Sequence, residues 1–254
     1  MSAPASRPHT IVVADSKSLA EAAAKRLVER IAKNPQQVRI CLTGGSTPRR
    51  LYELLATAPW REKIPWPRVH WFMTDDRFVP QDDPLNNMGM ARAAFLDACA
   101  PLENVHAIST SAATPGEAAE RYEHELKSFH ATPLNHEPPL FDLVLMGIGP
   151  DGHTASLFPN APALGEQQRW VVGVAKANVA PFVPRVSLTF PCLASTAEML
   201  FLVSGAEKRD ILTRAFSGED LPAIRAQAMH GETVWLLDQA AAPKDIDSSH
   251  ASFN

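Results

Sequence analysis

Eight apolar runs of five or six residues punctuate the chain, at Thr10–Ala14, Val38–Leu42, Val69–Met73, Phe141–Met146, Trp170–Val174, Val186–Phe190, Met199–Val203 and Thr233–Leu237. Each is too short for a typical helix and of the right length for a buried strand. Between several of them the apolar period changes to that of a helix. In "SLAEAAAKRLVERIAKNP", Leu19, Ala23, Leu27 and Ile31 recur every fourth residue, Ser18 and Glu21 have capping-box spacing, and Pro35 ends the element. In "TPGEAAERYEHELKSF", Thr114 is the expected cap, Pro115 takes the first helical position and Glu117 completes the box. Strands that alternate with helices along a whole chain pair in parallel through helical crossovers. The predicted fold is therefore α/β: a doubly wound, mainly parallel, Rossmann-like sheet with helices on both faces. The 254 residues suit one such domain spanning 1–254, with flexible tails expected at 1–9 and 243–254.

Open sheets of this kind bind ligands at the carboxyl ends of their strands, so the residues just after each run carry most information about function. After Leu42 comes "TGGSTPRR", after Met73 "TDDR", after Met146 "GIGPDGH" and after Val203 "SGAEKR". Four runs end on glycine or charge, and the predicted sheet gathers them at one edge.

Gly147, Gly149 and Gly152 in "GIGPDGHTASLFP" match the G-x-G-x-x-G order of a dinucleotide site. That fingerprint also needs a sizeable helix opening on the third glycine and an acidic residue about 20 positions later. Pro159 stops any helix after roughly two turns, and Glu166, the next acid, comes too early. The glycines must serve something else, and Asp151 and His153 beside them need explaining.

Histidine titrates near neutral pH, so His153 in a Gly-flanked loop is a candidate general base, with Asp151 to hold its tautomer or place a water. In "LTGGSTPRRLYELL", Thr47 is the expected cap of a helix starting at Pro48. Gly44 and Gly45 let backbone N–H groups turn toward an anion at that helix's start. The P-loop spacing and its lysine are absent. In "WFMTDDRFVP", Arg77 can clamp a carboxylate, a phosphate or a developing oxyanion, and Asp75 can orient a hydroxyl or a histidine. Asn86 or Asn87 caps a following helix, and either amide can meet a polyol. Lys208 and Arg185 offer cations at the same edge. Taken with the Gly44 loop they describe an anion site.

Much else is excluded. With 24 Lys and Arg against 28 Asp and Glu, the net charge of −4 argues against nucleic acid or an anionic membrane as partner. Cys41, Cys99 and Cys192 are few, odd in number and set in apolar stretches, as in a reduced cytoplasmic protein. The start "MSAPASRPHT" has no apolar signal core, and no run reaches transmembrane length. There is no H-E-x-x-H and no paired C-x-x-C, and His124, His130 and His136 are spaced six apart, off one helix face, so no metal is expected. No G-x-S-x-G elbow is present either. What remains is a reaction run by water, one base and electrostatics.

Together, "LTGGSTPRRLYELL", "WFMTDDRFVP", "NNMGMARAAFL", "FDLVLMGIGPDGHTASLFP", "PRVSLTF" and "SGAEKRDIL" resemble the lactonase members of the glucosamine-6-phosphate isomerase/6-phosphogluconolactonase family, in order, over about residues 38 to 238. The resemblance implies a sheet of the sugar-phosphate isomerase/deaminase type. It also implies hydrolysis of 6-phospho-D-glucono-1,5-lactone to 6-phosphogluconate without a metal or organic cofactor, by a monomer or small homo-oligomer whose partner is the small sugar phosphate lactone. Carried onto these residues, it makes His153 the base that activates water, Asp151 its orienting partner and Arg77 the stabiliser of the opening lactone, with Asp75 and Asn87 in register. Gly44, Gly45, Ser46, Lys208 and Arg185 would hold the 6-phosphate. The family usually has D-E-R where this chain has Asp75-Asp76-Arg77, and Ser-Asn where it has Asn86-Asn87. The related deaminases carry a tyrosine after their Asp-Glu pair and I-A-F-N after the histidine; Arg77 and Thr154-Ala155-Ser156-Leu157 here favour the lactonase. Two rivals are kept: glucosamine 6-phosphate isomerase/deaminase, and a sugar-phosphate sensor without turnover.

Overall fold

The computed structural model describes residues 8–244. Residues 1–7 and 245–254, the greater part of both expected tails, lie outside the described residues. Six strands, β1 (His9–Val13), β2 (Val38–Leu42), β3 (Val69–Met73), β5 (Leu143–Met146), β8 (Glu198–Val203) and β9 (Glu232–Asp238), form a sheet in the order β1-β9-β8-β5-β2-β3. Every pairing in it is parallel. The boundaries fall within two residues of the apolar runs, and the first run starts earlier than expected, because His9 pairs with Val234.

Alternation along β3 shows how both faces are covered, since successive side chains on a strand point to opposite sides. Trp71 meets the edge of Phe95, which stacks on Tyr52 of α2 (Ser46–Leu55). On the other face Phe72 meets Phe129 at the end of the helix Pro115–Phe129. The helix α1 (Ser16–Lys33) buries the predicted Leu19, Ala23, Leu27 and Ile31. Its cap is not Ser18. Asp15 accepts the Ser18 N–H at 2.8 Å, so the helix starts earlier than the expected box, on a residue whose carboxylate also suits the helix dipole. Thr114 does cap its helix, receiving the Glu117 N–H at 3.1 Å, while Glu117 reaches back to the N–H of Ala113.

Three stretches depart from a single sheet. β4 (Asp75–Arg77), β6 (Val171–Val174) and β7 (Arg185–Leu188) make a second, antiparallel sheet in the order β4-β7-β6. The sequence reading assigns the runs at Trp170–Val174 and Val186–Phe190 to the mainly parallel sheet. Between β6 and β7 the chain forms no helix, so there is no crossover to bring them parallel, and they pair antiparallel instead. The "TDDR" segment, by its sequence a loop at a strand end, supplies β4, an edge strand of this small sheet.

Two buried histidines add a pH dependence to stability. His70 hydrogen-bonds through Nδ1 to His106 Nε2 at 2.9 Å, and His106 Nδ1 reaches Glu125 at 2.7 Å. Burial lowers the His70 and His130 pKa values below the ordinary 6.5; His106 and Arg39 push His70 further the same way, and Arg39 acts likewise on His130. The unfolded chain then binds more protons than the folded one, so this stability is complete above about pH 6.5 and is lost as pH falls through the lowered values. Urea unfolding at about pH 7.5 and about pH 5.5 is expected to show a lower stability in acid, with a smaller drop in His130→Gln.

Candidate active site

The sheet order places the site. From β2 the chain moves outward to β3, while from β5 it moves the other way to β8 and β9. The loops after β2 and β5 therefore part company between two adjacent strands, which opens a crevice at their carboxyl ends. A cavity of about 360 Å³ occupies it. Gly44 and Gly45 line it from the β2 side and His153 from the β5 side, with Lys208 beyond β8. Asp75, Arg77 and Arg185 wall it from the small sheet, and Asn87 from the following helix. Of the remaining expected residues, Asp151 stands behind His153, and Ser46 lines an adjoining pocket.

His153 is held by a carboxylate and by glycines. Its Nδ1–H donates to Asp151 Oδ1 at 2.5 Å, which fixes the tautomer and leaves Nε2 to accept a proton. Burial works to raise the Asp151 carboxyl, but the hydrogen bond and charge of His153 outweigh it, and its pKa lies below the ordinary carboxylate value. Under the imidazole lies Phe158, with ring centroids 4.7 Å apart. Two of the three G-x-G-x-x-G glycines have a steric or conformational reason. A Cβ on Gly149 would fall 2.0 Å from His153 Nδ1 and Cε1; Gly152 has φ +84 and its Cβ would fall 2.8 Å from Leu221; a Cβ on Gly147 would meet nothing. No helix follows before Pro159. The loop is a seat for an imidazole rather than a cradle for a pyrophosphate. Gly149→Ala is accordingly expected to displace the ring and lower kcat about 100-fold, the scale of an ångström-sized misplacement. Single-turnover rates on a variant whose melting temperature is checked would measure it.

Strand alternation in β4 sorts its three charges. Arg77 is the register partner of Arg185, and Asp75 of Ser187, so these four share the cavity face while Asp76 points the other way with Val186. Asp75 does not reach His153. Its Oδ2 accepts the Ser156 hydroxyl at 2.6 Å, and its backbone carbonyl accepts Asn87 Nδ2 at 2.9 Å. Asp76, to which the sequence assigns no role, is fully buried and accepts the N–H groups of Arg77, Asn87 and Met88 at 2.7, 2.7 and 3.0 Å. Burial pushes its carboxyl up to about 7, against the pull of those donors. It joins the strand bearing Arg77 to the helix bearing Asn87. The signal for it was present in the alternation of "TDDR", once that segment is read as a strand.

None of the wall's cations, Arg77, Arg185 and Lys208, makes an ion pair among the described residues. Among the described residues Arg77 makes one side-chain hydrogen bond, Nη1 to the Leu85 carbonyl at 2.8 Å, and its Nε is buried without a partner. Arg185 donates to the Pro181 and Val183 carbonyls at 2.7 and 3.2 Å; burial and the facing Arg77 lower its pKa, against the opposing pull of Asp75 and Asp76. Lys208 Nζ donates to the Ile148 carbonyl at 2.7 Å, and burial lowers it too, although Glu207 and Asp151 oppose the shift. Its loop is tied by Asp238 at the end of β9, which accepts the Ser204 hydroxyl at 2.5 Å and the Gly205 N–H at 3.1 Å. Asp238 is a second anchor that the local sequence does not reveal.

On the β2 side the helix start differs from expectation. The N-cap of α2 is Gly45 with φ 116, not Thr47, and no side chain caps it. The first N–H groups are thus left without a side-chain acceptor, which favours an anion there. Gly44 has a steric reason as well: a Cβ would fall 2.0 Å from Asn87 Oδ1. No group of three or more His, Cys, Asp or Glu is placed to hold a metal among the described residues, and no described helix is long and apolar enough to cross a membrane.

A family profile described as glucosamine-6-phosphate isomerases/6-phosphogluconolactonase matches residues 14–235. The 6-phosphogluconolactonase of Synechocystis sp. is 41% identical over 220 residues, 85% of this chain and 88% of that protein. The crystal structure of the 6-phosphogluconolactonase of Thermotoga maritima superposes with a TM-score of 0.79 at 30% identity, covering 92% of this chain and 100% of that one. A monomeric glucosamine-6-phosphate deaminase shares the fold, with a TM-score of 0.76 at 19% identity over 92% of this chain and 98% of its own.

Proposed function

The chain belongs to the glucosamine-6-phosphate isomerase/6-phosphogluconolactonase family, and from that premise we propose that His153, with Asp151 behind it, drives the attack of water on a sugar-phosphate lactone held by Arg77, Arg185 and Lys208. The activity is hydrolysis of the ester bond of 6-phospho-D-glucono-1,5-lactone to 6-phospho-D-gluconate, in the oxidative pentose phosphate pathway. The observation that supports the mechanism best is the 2.5 Å Asp151–His153 pair facing an arginine-lined cavity. His153 Nε2 takes a proton as water bonds to the lactone carbonyl carbon. The carbonyl oxygen becomes an oxyanion beside the Arg77 guanidinium. When the tetrahedral centre collapses, the ring C–O bond breaks, the imidazolium returns the proton to the departing ring oxygen, and the new carboxylic acid gives up its own proton to solvent, which is the acid released. Asp151, held below the ordinary carboxylate range, stays ionised and steadies the imidazolium.

The phosphate is assigned to the other side of the cavity, between Lys208, Arg185 and the Gly44-Gly45 turn ahead of α2, while Ser46 faces the adjoining pocket. Asp75, engaged by Ser156, and Asn87, packed on Gly44, shape the wall between the two ends. The deciding experiment is acid release from freshly generated lactone against the spontaneous rate, with ammonia release from glucosamine 6-phosphate as the competing outcome; ammonia without lactone hydrolysis would overturn the assignment. Lys208→Met is expected to raise KM more than it lowers kcat, because a phosphate remote from the reacting bond is held alike in ground and transition states. A collapse of kcat at constant KM would move Lys208 to the chemistry.

A further inference from the structure

Beside the reaction cavity lies a second pocket of about 250 Å³, which shares Gly45, Arg77 and Asn87 with it and adds Ser46 at the start of α2. No Asp or Glu lines this pocket, but two arginines do, Arg77 and Arg49. Arg49 sits one turn along α2 from Ser46, is exposed, and its side chain makes no hydrogen bond or ion pair among the described residues. Asn86 adds a donor. It is 2% exposed, spends Oδ1 on the Gly89 N–H at 2.7 Å, and leaves Nδ2 buried without a partner, as is Arg77 Nε. Pro84, Leu85 and Met90 supply an apolar wall.

We infer that this pocket receives the carboxylate created when the lactone opens, an inference that rests on the proposed function above. Hydrolysis converts a neutral ring carbonyl beside Arg77 into a carboxylate at the end of a longer, open chain. A planar guanidinium pairs well with a carboxylate, and Arg77 can pass the new charge from one pocket to the other because it lines both. A phosphate dianion needs donors on all its oxygens, whereas a carboxylate on a carbon chain suits donors on one side and an apolar wall on the other. Arg49 thereby recognises product and not substrate.

The test is calorimetric titration of wild type and Arg49→Gln with 6-phospho-D-gluconate, with D-glucitol 6-phosphate, which has an alcohol in place of the carboxylate, and with inorganic phosphate. Arg49 is exposed and unbonded, so the variant is expected to keep its melting temperature. Affinity for 6-phosphogluconate should fall about two- to fivefold, the range of an exposed ion pair, while that for glucitol 6-phosphate stays put, and the product-inhibition constant should rise by the same factor. Equal weakening of both sugar phosphates would assign Arg49 to the phosphate and overturn the inference. So would an effect on inorganic phosphate alone, no effect on any ligand, or a wild type that does not bind 6-phosphogluconate. Lactone hydrolysis by wild type, measured on the same preparation, tests the proposed function separately: turnover with no change in the affinity ratio removes the pocket and leaves the function standing.

Discussion

His153→Gln is expected to lower kcat by about two to four decades, the range of a lost general base, while 6-phosphogluconate affinity stays nearly intact. Glutamine keeps a polar group of similar reach and cannot take a proton near neutral pH. The structure strengthens the expectation in one respect. Nδ1 is committed to Asp151 at 2.5 Å, so the ring has a single nitrogen free for chemistry, and Asp75 is occupied by Ser156 rather than poised as a spare base. Were His153 only a ligand for the sugar, the loss would appear in product affinity, at about 0.5–1.5 kcal/mol for one neutral hydrogen bond. Measuring kcat against enzyme-free hydrolysis and titrating product into the variant separates the two. Near wild-type kcat would remove His153 from the mechanism and turn attention to Asp151 or Asp75.

Arg77→Gln is expected to cost about 10²- to 10³-fold in kcat, the scale of a lost oxyanion donor, with a smaller change in KM. The guanidinium is half-buried, keeps a buried Nε unpaired, and faces Arg185 across the strand pair. Such a group interacts most with charge that appears only in the transition state. Its loss should therefore look unlike that of Lys208, whose contact is with charge present throughout. Because Asp76 accepts the backbone N–H groups of Arg77, Asn87 and Met88, the strand should keep its place in the variant, and an unchanged melting temperature would show it. A rise in KM at constant kcat would instead place Arg77 on the phosphate.

Periodicity, glycine positions and local charge were enough to identify the parallel sheet, α1, the helix at Pro115–Phe129 and the loops that carry Gly44, Asp151, His153 and Lys208, because those properties act over a few residues and need no partner. The motif resemblance added the family and its reaction. What tertiary structure alone decided are the matters in which one segment answers to another far along the chain. Asp15 rather than Ser18 starts α1, and Gly45 rather than Thr47 starts α2. "TDDR" becomes a strand because β7, more than a hundred residues later, offers it an edge. The glycines of "GIGPDGH" mimic a dinucleotide loop in spacing, yet Gly149 is small for the ring of His153 and Gly152 for Leu221. Asp76 and Asp238 look like ordinary charges until their backbone donors are seen. Local sequence states what a residue can do; burial and long-range pairing decide which group it does it to.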